Sequence, residues 1–468
     1  MTANPVQKTA GLRVDCLSLP EVFSQSIASA SPTVGAAASI PIVFASAGNG
    51  TWLTFIVATI GLLLVGASIN HFARRSASAG ALYMYVARGL GSTAGVLCGW
   101  SLTFAYLVLA VALVAGFAHY TNLVLYEFGL QLPSIFLHAL CMGLVWYYAY
   151  TDIQLSSTLM LILEIVAVGV TLFLAFLVLG NQGFSLDTVQ LHLEGTTFSG
   201  LGLGTAIAIF CFIGFESAAT LGDEAKQPKV NIPRTLIWSV VSLGMFFSFL
   251  AYVEVAAFRG NSTPLNESEA PMTVLANLAG VSLLGVGLNV GIAFSMFACA
   301  LALINAASRI SFSLARHHFY PSWMGRAHRH NQTPYAAVTV YSFFVLIFTV
   351  VLFLAGLENL SIFAYTGAVA TYGCLFTYIL MSIAAPVYLS QLGKLRSRDI
   401  IVSLLAGFFM LIPVVGSIYP IPPFPFNIFP YIFLSYLAVG GFWLWRLRRR
   451  SPQTIQGWSR DFTEVDTP

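Results

Sequence analysis

Long, mostly apolar stretches follow one another along almost the whole chain, and no other feature limits the possible folds as strongly. Hydrophobic residues make up 57% of the 468 residues and charged residues only 8%, whereas soluble domains carry about 25% charged residues. A helix crosses the hydrocarbon core with about 20 apolar residues. We therefore predict an all-α, polytopic membrane protein with twelve transmembrane helices. The predicted spans are residues 22–46, 52–72, 92–124, 135–151, 155–180, 200–221, 235–258, 282–316, 336–356, 361–389, 399–418 and 428–446.

The positions of the basic residues predict how these helices are oriented. Lysine and arginine are retained on the cytoplasmic side during insertion. With both termini cytoplasmic, all of the 21 lysines and arginines except Arg259 fall on that side. One missed span would scatter them, so their distribution favours twelve spans in a cell (inner or plasma) membrane. The first apolar stretch follows Lys8 and Arg13 without a small-residue cleavage site, which indicates a retained helix and not a signal peptide.

Several classes of function are not favoured by the sequence. The basic residues are dispersed over many short segments, so we do not expect nucleic-acid binding. The six cysteines are widely separated and form no CxxC pair, and we predict no disulfide, metal site or cofactor. The nucleotide-binding motif GxxxxGK[ST] is absent, as are HExxH and GxSxG, so we predict neither ATP as the energy source nor catalytic residues. The composition predicts one partner, the lipid bilayer. The oligomeric state does not follow from the sequence.

Two of the predicted spans are interrupted by helix-breaking residues. The first contains Pro32 and Gly35, and the sixth contains Gly214. Proline removes a backbone donor, and broken helices leave peptide groups that must face water, protein or a ligand. The breaks are about 180 residues apart and open two successive blocks of five spans, which is typical of transporters with inverted repeats and a substrate site near the midplane. The alternative is that these residues only kink packed helices.

Three segments resemble the amino acid-polyamine-organocation transporters. They read FCFIGFESAATLGDEAKQPKVNIPR at 210–234, NAASRISFSLARHHFYPSW at 305–323 and SASAGALYMYVARGLG at 76–91. The resemblance implies a leucine-transporter-type fold. Its domain of twelve helices would span 22–446, with five helices in 22–182, five inverted helices in 200–389 and two more in 399–446. The segments 1–21 and 447–468 would be cytoplasmic.

The same resemblance implies a substrate site at the two breaks. The backbone amides of the first break, with a nearby hydroxyl, would hold a substrate carboxylate, and carbonyls of the sixth span would hold an ammonium group. Phe210 matches an aromatic gate of some members, although it is equally compatible with core packing. Where many members carry a Gly-Ser-Gly-like triplet, this chain has residues 34–36 as Val-Gly-Ala. The predicted substrate-binding residues are Ser31, Thr33, Val34, Gly35, Ala36, Phe210, Phe212, Ile213 and Gly214.

Three acidic residues at or near membrane depth invite a functional explanation, because an ionisable group there is expensive. Glu216 lies in the second break and either exchanges a proton or caps the freed amides. Glu164 is the other candidate for proton coupling, or it pairs with a polar group. Glu254 is expected to reach the headgroups. As weaker expectations, Tyr106 and Tyr365 would line the path, and Asn305 and Ser308 would form interhelical hydrogen bonds.

The sequence thus predicts a secondary transporter, or permease, of amino acids or related amines, with a small-molecule substrate and with protons as the coupling ion for symport or exchange. A neutral substrate is favoured over a dibasic one. The alternatives are a polyamine or organic amine transporter, a substrate sensor on the same scaffold and, less favoured, a membrane enzyme.

Overall fold

The computed structural model describes residues 11–268, 270–419 and 421–450, and about four fifths of them are helical. Within these residues the sole β-type pairing is an isolated bridge between Leu17 and Ala225. The first nine helices are α1 (Leu19–Ala30), α2 (Pro32–Val34), α3 (Ile40–Ala47), α4 (Thr51–Ala73), α5 (Ala81–Leu90), α6 (Ser92–Glu127), α7 (Ser134–Thr151), α8 (Ile153–Asn181) and α9 (Thr188–Leu191). The other eight are α10 (Phe198–Phe210), α11 (Pro228–Phe258), α12 (Pro271–Leu278), α13 (Ser282–Arg316), α14 (Tyr335–Leu354), α15 (Asn359–Gln391), α16 (Ser397–Gly416) and α17 (Phe429–Arg450).

Each of the twelve predicted spans coincides with helical structure to within a few residues, with one exception. Helix α11 starts at Pro228, seven residues before the predicted span 235–258. By length and composition, ten segments of the described chain are able to cross a membrane. Leu19–Ala73 counts once among the ten although it holds two predicted spans, and Ser134–Thr151 is not among them. The all-helical membrane fold is confirmed, and the number twelve stays a prediction. Lys8, Arg460 and the chain beyond residue 450 lie outside the described residues.

Helices α6 and α13 form the centre of the molecule. In each of them 89% of the most apolar stretch is buried, compared with 28% in α16 and 22% in the segment that contains α17. The outer helices instead expose large apolar side chains, such as Leu404 and Phe408 on α16. Apolar surface of this extent at membrane depth is the surface expected to face lipid.

One end of the bundle, here called the N-terminal face, is closed by the segment Arg13–Ser18, here called the terminal strap. The Arg13 guanidinium lies 2.7 Å from the Asp152 carboxylate, between α7 and α8. The Leu17 amide donates to the backbone carbonyl of Glu224 at 2.9 Å. The strap therefore joins the start of α1 to the segment that follows the second break.

A buried ion pair lies beneath the strap. Arg309 of α13, one of the basic residues used to predict orientation, is fully buried. Its Nε donates to Glu224 Oε2 at 2.5 Å and its Nη2 to Oε1 at 2.8 Å, and its Nη1 donates to the Asn305 carbonyl at 3.0 Å. Two parallel bonds to one carboxylate fix its direction as well as its charge. Arg309 thus acts as an internal connection between α13 and residue 224.

The opposite face carries an ion pair that is partly exposed to solvent. Helix α11 has 31 residues, which is about 46 Å at 1.5 Å per residue, and Arg259 follows it. The Arg259 guanidinium donates to Asp187 at 2.7 Å and to Asn49 at 3.0 Å. Partial burial raises the pKa of Asp187, but hydrogen bonds from Gln190 and Arg259, with the charge of Arg259, bring that pKa below its ordinary value.

Candidate functional site

The first break lies at Ser31, where α1 ends. Ser31 adopts a left-handed conformation (φ 47°, ψ 68°), and Pro32 then starts α2, where its missing N–H has no helical partner to lose. The chain continues through a π-helical turn at Gly35–Ser39 into α3. The amides of Val34 and Gly35 each donate to the Ser31 carbonyl at 3.1 Å. Two of the amides predicted to hold a carboxylate are therefore already bonded inside this turn.

The second break begins where α10 ends at Phe210. The Phe210 carbonyl accepts from the Ile213 amide at 3.2 Å, and the Phe212 carbonyl accepts from the amide of the residue three positions on, at 3.1 Å. Each carbonyl oxygen has a second lone pair, so both can accept a further bond from an ammonium group. Gly214 closes the turn with φ 102°, a conformation that L side chains rarely adopt.

Helix α1, which leads into the first break, is in direct contact with the second break at Gly214. A Cβ added there would lie 2.7 Å from the Ser29 Cβ and 2.8 Å from the Ser29 carbonyl oxygen. Hydrogen bonds reinforce the contact, since the Ser29 and Ser217 hydroxyls lie 2.7 Å apart and the Ser26 hydroxyl donates to the Phe215 carbonyl at 2.5 Å. The sequence predictions for residues 31–36 and 210–216 thus describe neighbouring parts of one buried region.

The Thr33 hydroxyl is the polar side-chain group of the first break that has no partner within the described residues. Thr33 is 2% exposed, so its hydroxyl is also withheld from water. The Ser31 hydroxyl, in contrast, lies 2.9 Å from the Ser295 hydroxyl on α13. Of the two hydroxyls predicted to bind a substrate, Thr33 is therefore the one with free hydrogen-bonding capacity.

Phe247 on α11 packs between the predicted site residues. A Cβ added to Gly35 would lie 2.6 Å from Phe247 Cε1, and the Phe247 and Phe212 ring centroids are 5.4 Å apart at 68°. Phe247 and Phe212 are fully buried, whereas Phe210 is half-buried. Sequence reasoning missed Phe247 because nothing distinguishes it among the 37 phenylalanines of the chain.

Glu216 is fully buried and accepts three hydrogen bonds. The hydroxyls of Tyr106 and Tyr378 donate to it at 2.7 and 2.5 Å, and the Gly214 amide donates at 3.1 Å. The hydrogen bond from the Gly214 amide is the capping contact considered from the sequence. It does not test whether Glu216 exchanges a proton. Tyr106 was a weak candidate from the sequence. Tyr378, on the same helix as the other candidate Tyr365, was not recognised.

Glu164 belongs to a separate polar network. Its Oε1 accepts from the Ser295 hydroxyl at 2.8 Å, and Ser295 in turn contacts Ser31 at 2.9 Å. Its Oε2 is buried and has no hydrogen-bond partner among the described residues. The acid on α8 is therefore connected through α13 to the first break. Sequence reasoning missed Ser295, because serines are frequent in the helices and give no signal of their own.

Comparison with known proteins shows the family of the chain. The family model described as amino acid permease matches residues 17–450. The chain belongs to the amino acid permease family. The resemblance seen in the three sequence segments is thus confirmed.

Two relatives from Bacillus subtilis illustrate the range of this permease family. The branched-chain amino acid permease BcaP is 22% identical over 62% of this chain and 65% of its own length. The methylthioribose transporter is 22% identical over 79% of each chain. The chain therefore spans less than two thirds of the length of BcaP.

The chain is also similar to a solved structure, MhsT in complex with L-phenylalanine. The TM-score is 0.58 at 14% identity, and the match covers 87% of this chain and all of MhsT. At that identity the likeness concerns the fold, and the predicted leucine-transporter-type fold is confirmed.

The structure changes two expectations and supports a third. Glu254 does not reach the surface as expected: it is fully buried on α11, and neither carboxyl oxygen has a partner within the described residues. Asn305 forms the expected interhelical hydrogen bond, to the Ser156 hydroxyl at 2.8 Å. The Ser308 hydroxyl is buried and has no such partner in the described part of the chain. Tyr365 packs against Phe429, with ring centroids 5.9 Å apart, and stays a prediction as a path-lining residue.

Proposed function

We propose that this permease is a secondary transporter that carries amino acids across a cell membrane by alternating access. Family membership over residues 17–450 supports this proposal. The observation that carries it is the contact of Gly214 with Ser29, because it brings two broken helices together. In transporters with inverted repeats, the substrate binds where such breaks meet.

The proposed substrate is a neutral amino acid. The Thr33 hydroxyl, which has no partner among the described residues, would hold its carboxylate, and the Phe210 and Phe212 carbonyls would hold its ammonium group. Glu216 already accepts three hydrogen bonds, so it offers little to a second ammonium group on a dibasic substrate. The relatives are named for branched-chain amino acids and for methylthioribose, so the family alone does not select the substrate.

The proposed coupling ion is the proton, with Glu164 as its carrier. One oxygen of Glu164 has no partner among the described residues, and the other is connected through Ser295 to Ser31. A change in protonation of this carboxyl would alter the hydrogen bonds at the first break directly. Glu216, whose oxygens are already bonded to three donors, is better suited to hold the second break in shape.

The N-terminal face is proposed to be cytoplasmic and to open during transport. It is closed in the structure by the terminal strap and by the pair of Arg309 and Glu224. Because the predicted site lies above these contacts along α1, release to that side requires them to separate. Alternating access would then consist of breaking this closure while the opposite face closes.

Uptake into proteoliposomes tests the proposal. Labelled leucine, phenylalanine, methionine, lysine and putrescine are offered with a proton gradient or a sodium gradient, each imposed alone. We expect uptake of neutral amino acids driven by the proton gradient and little response to sodium. Absence of flux under every gradient, or saturable binding without flux as in a sensor, would refute transport.

The Glu164→Gln variant tests the coupling role separately. Glutamine keeps the size of the side chain and cannot carry the proton, so gradient-driven uptake should fall strongly while counterflow exchange persists. Glu254→Gln is the matched control, since it removes another buried carboxyl that we assign no role. If Glu164→Gln retains full gradient-driven uptake, Glu164 is not the proton carrier.

A further inference from the structure

A cavity of about 190 Å³ lies between α1, α2, α8 and α11. Pro32 of the first break lines it, whereas none of the predicted substrate-binding residues does. Phe23, Ile27, Leu161 and Phe246 contribute to its apolar lining, and Glu164 also lines it. An apolar cavity of about 150 Å³ is large enough to hold benzene. This cavity is therefore able to take a phenyl or hexyl group.

The cavity is open to the side of the bundle. Ile165 and Ser242 line it and are exposed, with Ile165 62% exposed. Both lie near the middle of long membrane helices, the 29-residue α8 and the 31-residue α11. An opening at that height faces the hydrocarbon of the bilayer, so a ligand would enter from lipid and must be largely apolar.

Glu164 is the ionisable residue of the cavity lining, and it indicates which polar group a ligand should carry. Glu164 is 3% exposed, and its Oε2 is buried without a hydrogen-bond partner in the described parts of the chain. Because Oε2 is buried beneath the apolar lining, the Glu164 side chain must turn toward the cavity to reach a ligand. A carboxyl with one unused oxygen is then matched by an amine, which supplies hydrogen-bond donors and positive charge. An alcohol or an acyl chain offers no such charge.

We propose that this cavity is a lateral binding site for hydrophobic primary amines that enter from the bilayer. The amine arrives uncharged, the proton of the Glu164 carboxyl passes to the amine nitrogen, and an ammonium–carboxylate pair forms at Oε2. No net charge has to cross the hydrocarbon, because the proton moves within the pair. The alkyl or aryl group occupies the space beside Leu161 and Phe246. The site adjoins the first break at Pro32 and shares Glu164 with the proposed coupling step, but binding of the amine does not require transport.

A photoreactive hexylamine tests the proposal on the full-length protein in nanodiscs. The probe carries a diazirine on its alkyl chain, and labelled residues are mapped by mass spectrometry with and without excess hexylamine. Two matched probes carry the same diazirine on hexanol and on hexyltrimethylammonium. We expect saturable labelling at the cavity lining by the amine alone, because the alcohol lacks the charge and the quaternary ion cannot arrive uncharged.

Three variants test where the amine binds. Glu164→Gln should reduce specific labelling at least about tenfold, since it removes the charge partner. Val168→Trp fills the cavity and should abolish labelling, while Ile162→Trp places the same ring on the lipid-facing side of α8 and should leave it unchanged. If Val168→Trp does not fold, Ile165→Trp blocks the opening instead.

Equal labelling by the hexanol probe would show that any apolar molecule, such as a lipid chain, fills the cavity, and the proposal would be wrong. Undiminished labelling of Glu164→Gln would also overturn it. So would labelling that excess hexylamine does not compete, because it would reflect partition into the bilayer. Each of these outcomes leaves the uptake measurements of the wild-type protein unaffected, so failure here is distinguishable from failure of the transport proposal.

Discussion

Replacing Glu224 with glutamine is expected to destabilise the fold far more than removing the ion pair of the terminal strap. In the wild type, the side chains of Arg309 and Glu224 are 0% and 1% exposed, whereas those of Arg13 and Asp152 are 40% and 31% exposed. Removing one partner of a buried pair costs about 3–5 kcal/mol, because the other charge stays buried without compensation. An exposed pair contributes about 0–1 kcal/mol. Glu224→Gln should therefore cost at least about 2 kcal/mol more than Arg13→Gln.

Equilibrium unfolding in mixed detergent micelles measures this difference. The purified variants are titrated with sodium dodecyl sulfate and unfolding is followed by tryptophan fluorescence, for which the chain has eight tryptophans. The double variant Glu224→Leu with Arg309→Met replaces both charges by apolar groups and should recover most of the loss. Some loss should remain, because Arg309 also donates to the Asn305 carbonyl.

Two results would refute the reasoning. If Glu224→Gln unfolds at the same detergent fraction as Arg13→Gln, leaving the buried Arg309 without its partner does not cost more free energy than losing the exposed pair. If the double variant is as unstable as Glu224→Gln, the loss comes from local packing and not from an uncompensated charge.

Three further predictions concern the breaks and the opposite face. Gly35→Leu should abolish uptake without preventing membrane insertion, because a Cβ there would lie 2.6 Å from the ring of Phe247. The control Gly169→Leu should transport normally, because a Cβ there would meet no described atom within 4 Å. Normal uptake by Gly35→Leu would contradict the assignment. Tyr378→Phe should lower the free energy of unfolding by about 1.5–3 kcal/mol, because it removes a hydrogen bond to a buried carboxyl, and a loss near zero in the same titration would count against that bond. The pKa of Asp187 lies below its ordinary value because hydrogen bonds from Gln190 and Arg259 outweigh partial burial; its stabilisation is present above the unfolded pKa of about 3.9 and is lost as the pH falls through the folded pKa. Asp187→Asn should therefore remove part of the acid sensitivity seen below about pH 4, and an unchanged acid limb in unfolding measurements would disprove this.

The sequence predicted features that depend on neighbouring residues better than features that depend on distant ones. The breaks were predicted because proline and glycine disturb a helix wherever they occur, although the left-handed residue of the first break is Ser31 and not Gly35. The partners of Glu164 were not predicted, since Ser295 is 131 positions away. Glu254 was misassigned because its position along α11 indicates only how close it lies to the membrane surface. Whether its side chain is buried depends on the other helices around it.

The hydrogen bonds around the breaks also determine which parts of the molecule can move together. Helix α1 is joined to Phe215–Leu221 by the bonds of Ser26 and Ser29, and the terminal strap continues this connection to residue 224. Opening of the N-terminal face without breaking these bonds therefore moves α1 and Phe215–Leu221 as one body. The ion pair of Arg309 and Glu224 holds that body to α13. Its two charge-assisted hydrogen bonds make it a strong contact between the body and this helix. If this face opens as proposed, separation of this one pair would contribute most of the electrostatic cost. The residues that stabilise the closed face would then also determine how readily it opens.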